Sequence, residues 1–100
     1  MEERLANIHP GEVLEEEFLK PLHISASRLA KAIRLPQRRI ADLVEQKRRM
    51  TPNVALRLAK CFGTSPQFWL GLQMDYDLEE TQRRFEKQLA RIDNFQGMIG

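Results

Sequence analysis

Apolar residues recur along this chain at helical spacing, and proline, glycine and small hydroxyl residues cut the pattern into six segments. Leu14, Phe18 and Leu22 stand four apart with Val13 beside them, and Pro10 opens the segment where a missing N–H costs nothing. Glu12, Glu15, Glu16 and Glu17 sit near the start of that helix, where negative charge is favourable, and Pro21 ends the regular pattern. The first helix is expected over about residues 10–20. Ser25 is the N-cap expected for a second helix with Leu29, Ala30 and Ile33 on its inner face. Leu35 precedes Pro36 and is biased towards extended backbone, so a third helix starts at Gln37 and carries Ile40, Leu43 and Val44 inward. Thr51 and Pro52 open a fourth, on which Ala55, Leu58, Ala59 and Phe62 share one face, and Gly63 ends it. Ser65 and Pro66 open a fifth with Phe68, Trp69, Leu72 and Tyr76. Phe85, Leu89 and Ile92 recur at i, i+4 and i+7, which predicts a last amphipathic helix over about residues 79–93.

Composition narrows the class. A chain of 100 residues is one domain with a modest core, which a second copy would enlarge. The single Cys61 excludes an internal disulfide and fits a reducing cytosol. No apolar run has the length of a membrane span and the acidic start does not resemble a signal peptide, so a cytoplasmic protein is expected. Net charge is −4 over residues 1–24, +8 over 25–60 and −2 over 61–100, a basic centre of the kind that meets a polyanion. His9 beside Glu12 has no metal-ligand company, and Asp75, Asp77, Glu79 and Glu80 lack a calcium-loop pattern. No phosphate loop or nucleophile motif occurs, so neither catalysis, a metal nor a cofactor is expected. Cys61 reads as a small half-buried hydrophobe, and Trp69 reads as core or as an interface anchor.

Residues 25–45 carry the functional signal. They form a short helix, a tight connection and a second short helix, with small Ala30 allowing close approach and Leu35 filling the turn. Periodicity alone fits other helical hairpins too. The outward residues favour a helix-turn-helix that enters the major groove of DNA. Gln37 and Arg38 open the second helix, where bidentate pairing with adenine and guanine edges is available, and Asp42 follows one turn later. Ser27, Arg28, Arg34, Arg39, Lys47, Arg48 and Arg49 are expected at phosphates. A protein-interaction module whose basic stripe meets an acidic partner is the alternative of a different class.

The span from His9 to Leu78 resembles the HigA/VapI family of addiction-module antitoxins, within the wider Xre/Cro/C1-type helix-turn-helix class. The resemblance starts at His9-Pro10-Gly11-Glu12-Val13-Leu14 and passes through Glu16-Glu17-Phe18-Leu19, Pro21-Leu22, Leu29-Ala30 and Ile40. Its most specific part is Ala55-Leu56-Arg57-Leu58-Ala59, Phe62-Gly63-Thr64-Ser65-Pro66, Phe68-Trp69-Leu70, Leu72-Gln73 and Tyr76-Asp77-Leu78. The resemblance implies an all-α, five-helix, lambda-repressor-like helix-turn-helix domain with a C-terminal amphipathic extension. It divides the chain into an arm (1–9), the DNA-binding domain (10–78), a dimerisation helix (79–95) and a frayed tail (96–100).

The implied protein is a homodimeric autorepressor that binds an inverted-repeat operator and neutralises a small, basic, mRNA-cleaving toxin. A stand-alone repressor without a toxin is the runner-up. Phe85, Leu89, Ile92 and Trp69 are the expected dimer residues; Glu2, Glu3, Glu15, Glu16 and Glu17 are the expected toxin contacts. The chain departs from the family where His23, Arg34 and Gln46 replace common glycines, and where Ala26 replaces a glutamine that often contacts phosphate. A left-handed backbone at a non-glycine residue costs about 1 kcal/mol.

Overall fold

The computed structural model describes residues 7–95, which are helical with no strand among them. α1 covers residues 10–22. It is α-helical over Pro10–Val13, widens to a π-helix over Leu14–Leu19 and closes as α-helix over Lys20–Leu22. It therefore runs past Pro21, which had been expected to end it. The Lys20 N–H bonds to the Glu15 carbonyl, five residues back, and Pro21 follows where the bonding register changes. α2 is Ala26–Ile33, α3 Gln37–Val44, α4 Pro52–Phe62, α5 Pro66–Arg84 and α6 Glu86–Ala90. There are thus six helices among the described residues, and the helix expected over 79–93 is divided between two of them. Residues 79–84 prolong α5, the chain breaks at Phe85, and α6 is five residues long.

Local chemistry explains most boundaries. Ser25, Thr51 and Ser65 each accept a hydrogen bond from the backbone N–H three residues on, at 3.0, 3.3 and 3.0 Å. His9 caps α1, its Nδ1 accepting from the Gly11 N–H at 2.9 Å. The core is Leu14, Leu29, Ile40, Leu43, Leu58 and Trp69, all essentially inaccessible, with Ala30 and Ala55 where helices pack closely. α5 buries only Trp69 and Gln73, and α6 buries nothing. No helix among the described residues is long and apolar enough to cross a membrane.

Helix closure is where the chain is strained. α1, α2 and α3 end through His23, Arg34 and Gln46 in the left-handed region, at φ of 56°, 61° and 62°. In each case the next residue's N–H reaches five residues back: Ile24 to Leu19, Leu35 to Ala30 and Lys47 to Asp42, at 2.9, 3.0 and 2.8 Å. These are the three positions at which the resemblance led glycine to be expected. Only α4 closes on a glycine, Gly63. Glycine at His23 or at Gln46 is expected to stabilise the protein by about 1 kcal/mol each. Urea unfolding measures this as a raised midpoint at constant slope; an unchanged midpoint in both variants contradicts the strain assignment.

Candidate nucleic-acid interface

α2 and α3 meet through Leu29, Ala30, Ile33, Ile40 and Leu43, all buried, with half-buried Leu35 packed against them in the turn. A long-range contact finishes this unit. Arg57 of α4 donates from Nη1 to the Ile33 carbonyl at 2.8 Å, and its Nε donates to Asn53 at 2.9 Å. A cation thereby satisfies an orphan carbonyl at the end of α2 and steadies the turn. Arg57 was quoted above only as part of a motif, and its partner lies 24 residues away in sequence.

With Ile40 and Leu43 turned inward, the outer face of α3 presents Gln37 and Arg38. Both are exposed, and the Arg38 side chain is 85% accessible. Asp42 sits between two cations, 3.6 Å from Arg38 Nε and 3.8 Å from Arg48 Nη2. It therefore orients arginine side chains in the free protein. Of the expected phosphate contacts, Arg28, Arg34, Lys47 and Arg48 are exposed, whereas Ser27 and Arg39 are half-buried. Arg39 Nε is enclosed without a hydrogen-bond partner among the described residues. Lys47 pairs with Glu45 at 3.1 Å. Arg49 is engaged elsewhere: its Nη2 lies 2.7 Å from Asp77 Oδ2 on α5.

The Arg49 hydrogen bond holds the Asp77 carboxyl below the usual carboxylate range, helped by a second bond from Gln73, and it raises the Arg49 guanidinium in turn. Gln73 itself is buried. Its Oε1 accepts from the Met50 N–H at 2.7 Å and its Nε2 donates to Asp77 Oδ1 at 2.9 Å. Beside this cluster the His9 ring packs edge-on against Tyr76, with centroids 4.9 Å apart. Burial lowers the His9 pKa, which suits an Nδ1 that must stay unprotonated to cap α1. His9 is thus a structural residue.

The other expected site residues divide clearly. Trp69 is fully buried; its Nε1 donates to Thr64 at 2.7 Å and its ring contacts Phe18 and Phe68. It has no surface to offer a second copy, so its place is the core. Cys61 is exposed instead of half-buried. Phe85, Leu89 and Ile92 are all exposed, and α5 adds Met74 and Leu78, which the pattern analysis missed. Glu16 pairs with Lys20 at 2.6 Å, Glu17 is exposed and Glu15 is half-buried. Glu2 and Glu3 lie outside the described residues.

A helix, a tight turn and a second helix with an arginine-rich exposed start define a helix-turn-helix protein, and the helix-turn-helix family matches residues 16–69. Virulence-associated protein I of Dichelobacter nodosus is 46% identical over 85 residues, which span 85% of this chain and 77% of that protein. The Pseudomonas aeruginosa antitoxin HigA, solved with the higBA promoter, superposes with a TM-score of 0.83 at 37% identity, covering 88% of this chain and 97% of that one. An addiction module antidote protein of the HigA family from Coxiella burnetii gives 0.83 at 39% identity, over 90% and 98% of the two chains. The chain belongs to the HigA/VapI-type helix-turn-helix antitoxins.

Proposed function

We propose that this protein is an operator-binding autorepressor and an antitoxin that neutralises a small, basic, mRNA-cleaving toxin in the cytoplasm. The observation that carries it is the exposed start of α3, with Gln37 and Arg38 projecting from a fold shared with an antitoxin solved on its promoter. Residues 10–78 form the DNA-binding unit, of lambda-repressor-like arrangement, and 79–95 contribute to the dimer. Gln37 and Arg38 read base edges. Asp42 orients Arg38 from one helical turn away and accepts from cytosine where the operator offers one. Ser27, Arg28, Arg34, Arg39, Lys47 and Arg48 contact phosphates.

Two substitutions separate readers from positioners. Arg38→Ala is expected to cost about 1–3 kcal/mol on operator and to relax preference at one base pair. Arg48→Ala is expected to weaken operator and random DNA alike and to lower the salt slope by about one. Binding titrations of both variants on both DNAs at several salt concentrations test this. Equal loss on the two DNAs for Arg38→Ala removes it from the readers, and wild-type protein with no operator preference overturns the function itself.

For the toxin, the successive Glu15, Glu16 and Glu17 on the π-helical stretch of α1 are the acidic residues that a basic partner would meet, Glu16 and Glu17 being exposed and Glu15 half-buried. Opposite charge accelerates encounter more than it raises affinity. Replacing all three by glutamine is expected to slow toxin capture about tenfold. Stopped-flow mixing with the product of the adjacent gene measures it; an unchanged rate rejects this contact.

A further inference from the structure

We propose that Arg49 and Asp77 form a latch that positions the DNA-contacting loop, Arg49 acting as a positioning residue bound to α5 and not as a phosphate contact. The inference rests on the DNA-binding reading above. The loop between α3 and α4 is pinned at both ends. At its start Gln46 takes the left-handed turn, and the Lys47 N–H returns to the Asp42 carbonyl at 2.8 Å. At its end the Met50 N–H, on a residue only 2% exposed, is held by Gln73 Oε1 at 2.7 Å. The other end of that same amide holds Asp77 Oδ1, and Arg49 takes Asp77 Oδ2 at 2.7 Å.

Each Asp77 oxygen thus has a donor, and buried Gln73 spends both ends of its amide on the network. Lys47, Arg48 and Arg49 are all exposed, with 66%, 46% and 65% of their side chains accessible, but Lys47 and Arg48 pair with Glu45 and Asp42 at and within α3, whereas Arg49 pairs across to α5. The Arg49–Asp77 bond is short and charge-assisted, and it is partly screened by the solvent that reaches both side chains. Turning Arg49 out to a phosphate would break it and leave the Asp77 carboxylate unpaired near the polyanion. The same helix α5 also holds the chain ahead of α1, since Asn7 donates to the Tyr76 carbonyl at 2.9 Å and the His9 ring packs on Tyr76. Gln73, Tyr76 and Asp77, which stand together in the family resemblance, are the grip of α5 on the segments flanking α1 and α3.

The test compares Asp77→Asn, Arg49→Ala, their double variant and Arg48→Ala by operator titration across salt concentrations. Hydrogen exchange of the Met50 amide is followed in the same proteins without DNA. The latch predicts that Asp77→Asn and Arg49→Ala each weaken operator binding about three- to fivefold, the upper end for a solvent-exposed ion pair. The double variant is no worse than either single one, and the salt slope stays at the wild-type value in all three. The Met50 amide exchanges faster in each. Tighter binding by Asp77→Asn, as expected if Asp77 competes with phosphate for Arg49, overturns the proposal. So does a slope lowered by about one in Arg49→Ala, as expected of Arg48→Ala. If wild-type protein lacks operator preference, the DNA reading fails by itself, and Met50 exchange alone decides the latch: acceleration supports it and unchanged exchange overturns it.

Discussion

Gly11→Ala is expected to destabilise the protein by about 3 kcal/mol, on the scale of a badly overpacked core. Gly11 is buried in the first turn of α1, which crosses the end of α3. A Cβ built there overlaps the Leu43 carbonyl oxygen, comes within 2.8 Å of the Leu43 carbonyl carbon and lies 3.2 Å from His9 Nδ1. None of these is the free end of a flexible side chain. The Leu43 carbonyl also accepts the Gln46 N–H at 3.0 Å, in the strained closure of α3. Relief therefore requires α1 to move off α3. Gly71→Ala is the matched control. No heavy atom lies within 4 Å of its built Cβ, and glycine inside a helix is unfavourable, so that variant should gain about 0.5–1 kcal/mol. Urea midpoints of the two variants should move in opposite directions; a Gly11→Ala midpoint at or above wild type contradicts the close approach.

The same comparison shows what the sequence made legible. A cap is a local event, so Ser25, Thr51 and Ser65 could be placed from their positions before proline or apolar runs, and the structure has all three. Pro10 was legible as a helix opener, whereas His9 was weighed only as a ligand and Gly11 was visible only as part of a resemblance. The duties of His9 as cap and of Gly11 as point of contact with α3 needed the packed structure. The last helix was expected to begin at about residue 79, separate from the fifth. Instead, i to i+4 pairs from Gln73 to Asp77 and from Arg83 to Glu79 knit that region into one helix. Arg57, Gln73 and Arg49 act on groups more than twenty residues away, and such pairings leave no trace in local spacing. Trp69 has the composition of an anchor and of a core residue alike, and only its burial decides.

Charges placed at Leu78 and Phe85 are expected to leave an 11.7 kDa monomer and to cost the operator complex about 10²–10⁴-fold. The argument begins with helical spacing. Met74 and Leu78 lie on one face of α5, Phe85 follows at the break just past its end, and the three are 61%, 61% and 40% exposed. Leu89 and Ile92 continue the apolar surface beyond the break, at 45% and 71%. Next to the start of this stripe is an open groove of 480 Å³ lined by Met50, Pro52, Leu70, Met74 and Leu78. A stripe and a groove on one chain can be satisfied together by a second copy related by a two-fold axis. A stable contact needs roughly 800 Å² from each partner, and the five exposed large side chains and the groove would form its apolar centre. Such a dimer presents two copies of α3, so the operator should carry two half-sites spaced by about one helical turn or a multiple of it. Each α3 alone makes only half the contacts, and the second half-site binds with the advantage of being tethered. Leu78→Glu with Phe85→Glu removes the tether without touching Gln37, Arg38 or Arg48. Sedimentation at micromolar concentration reads the mass, and titration on full and half operators reads the affinity. The variant should bind both DNAs equally weakly, with its helical content intact. A dimer that survives both glutamates excludes this face as the interface and moves the two-fold axis elsewhere on the domain.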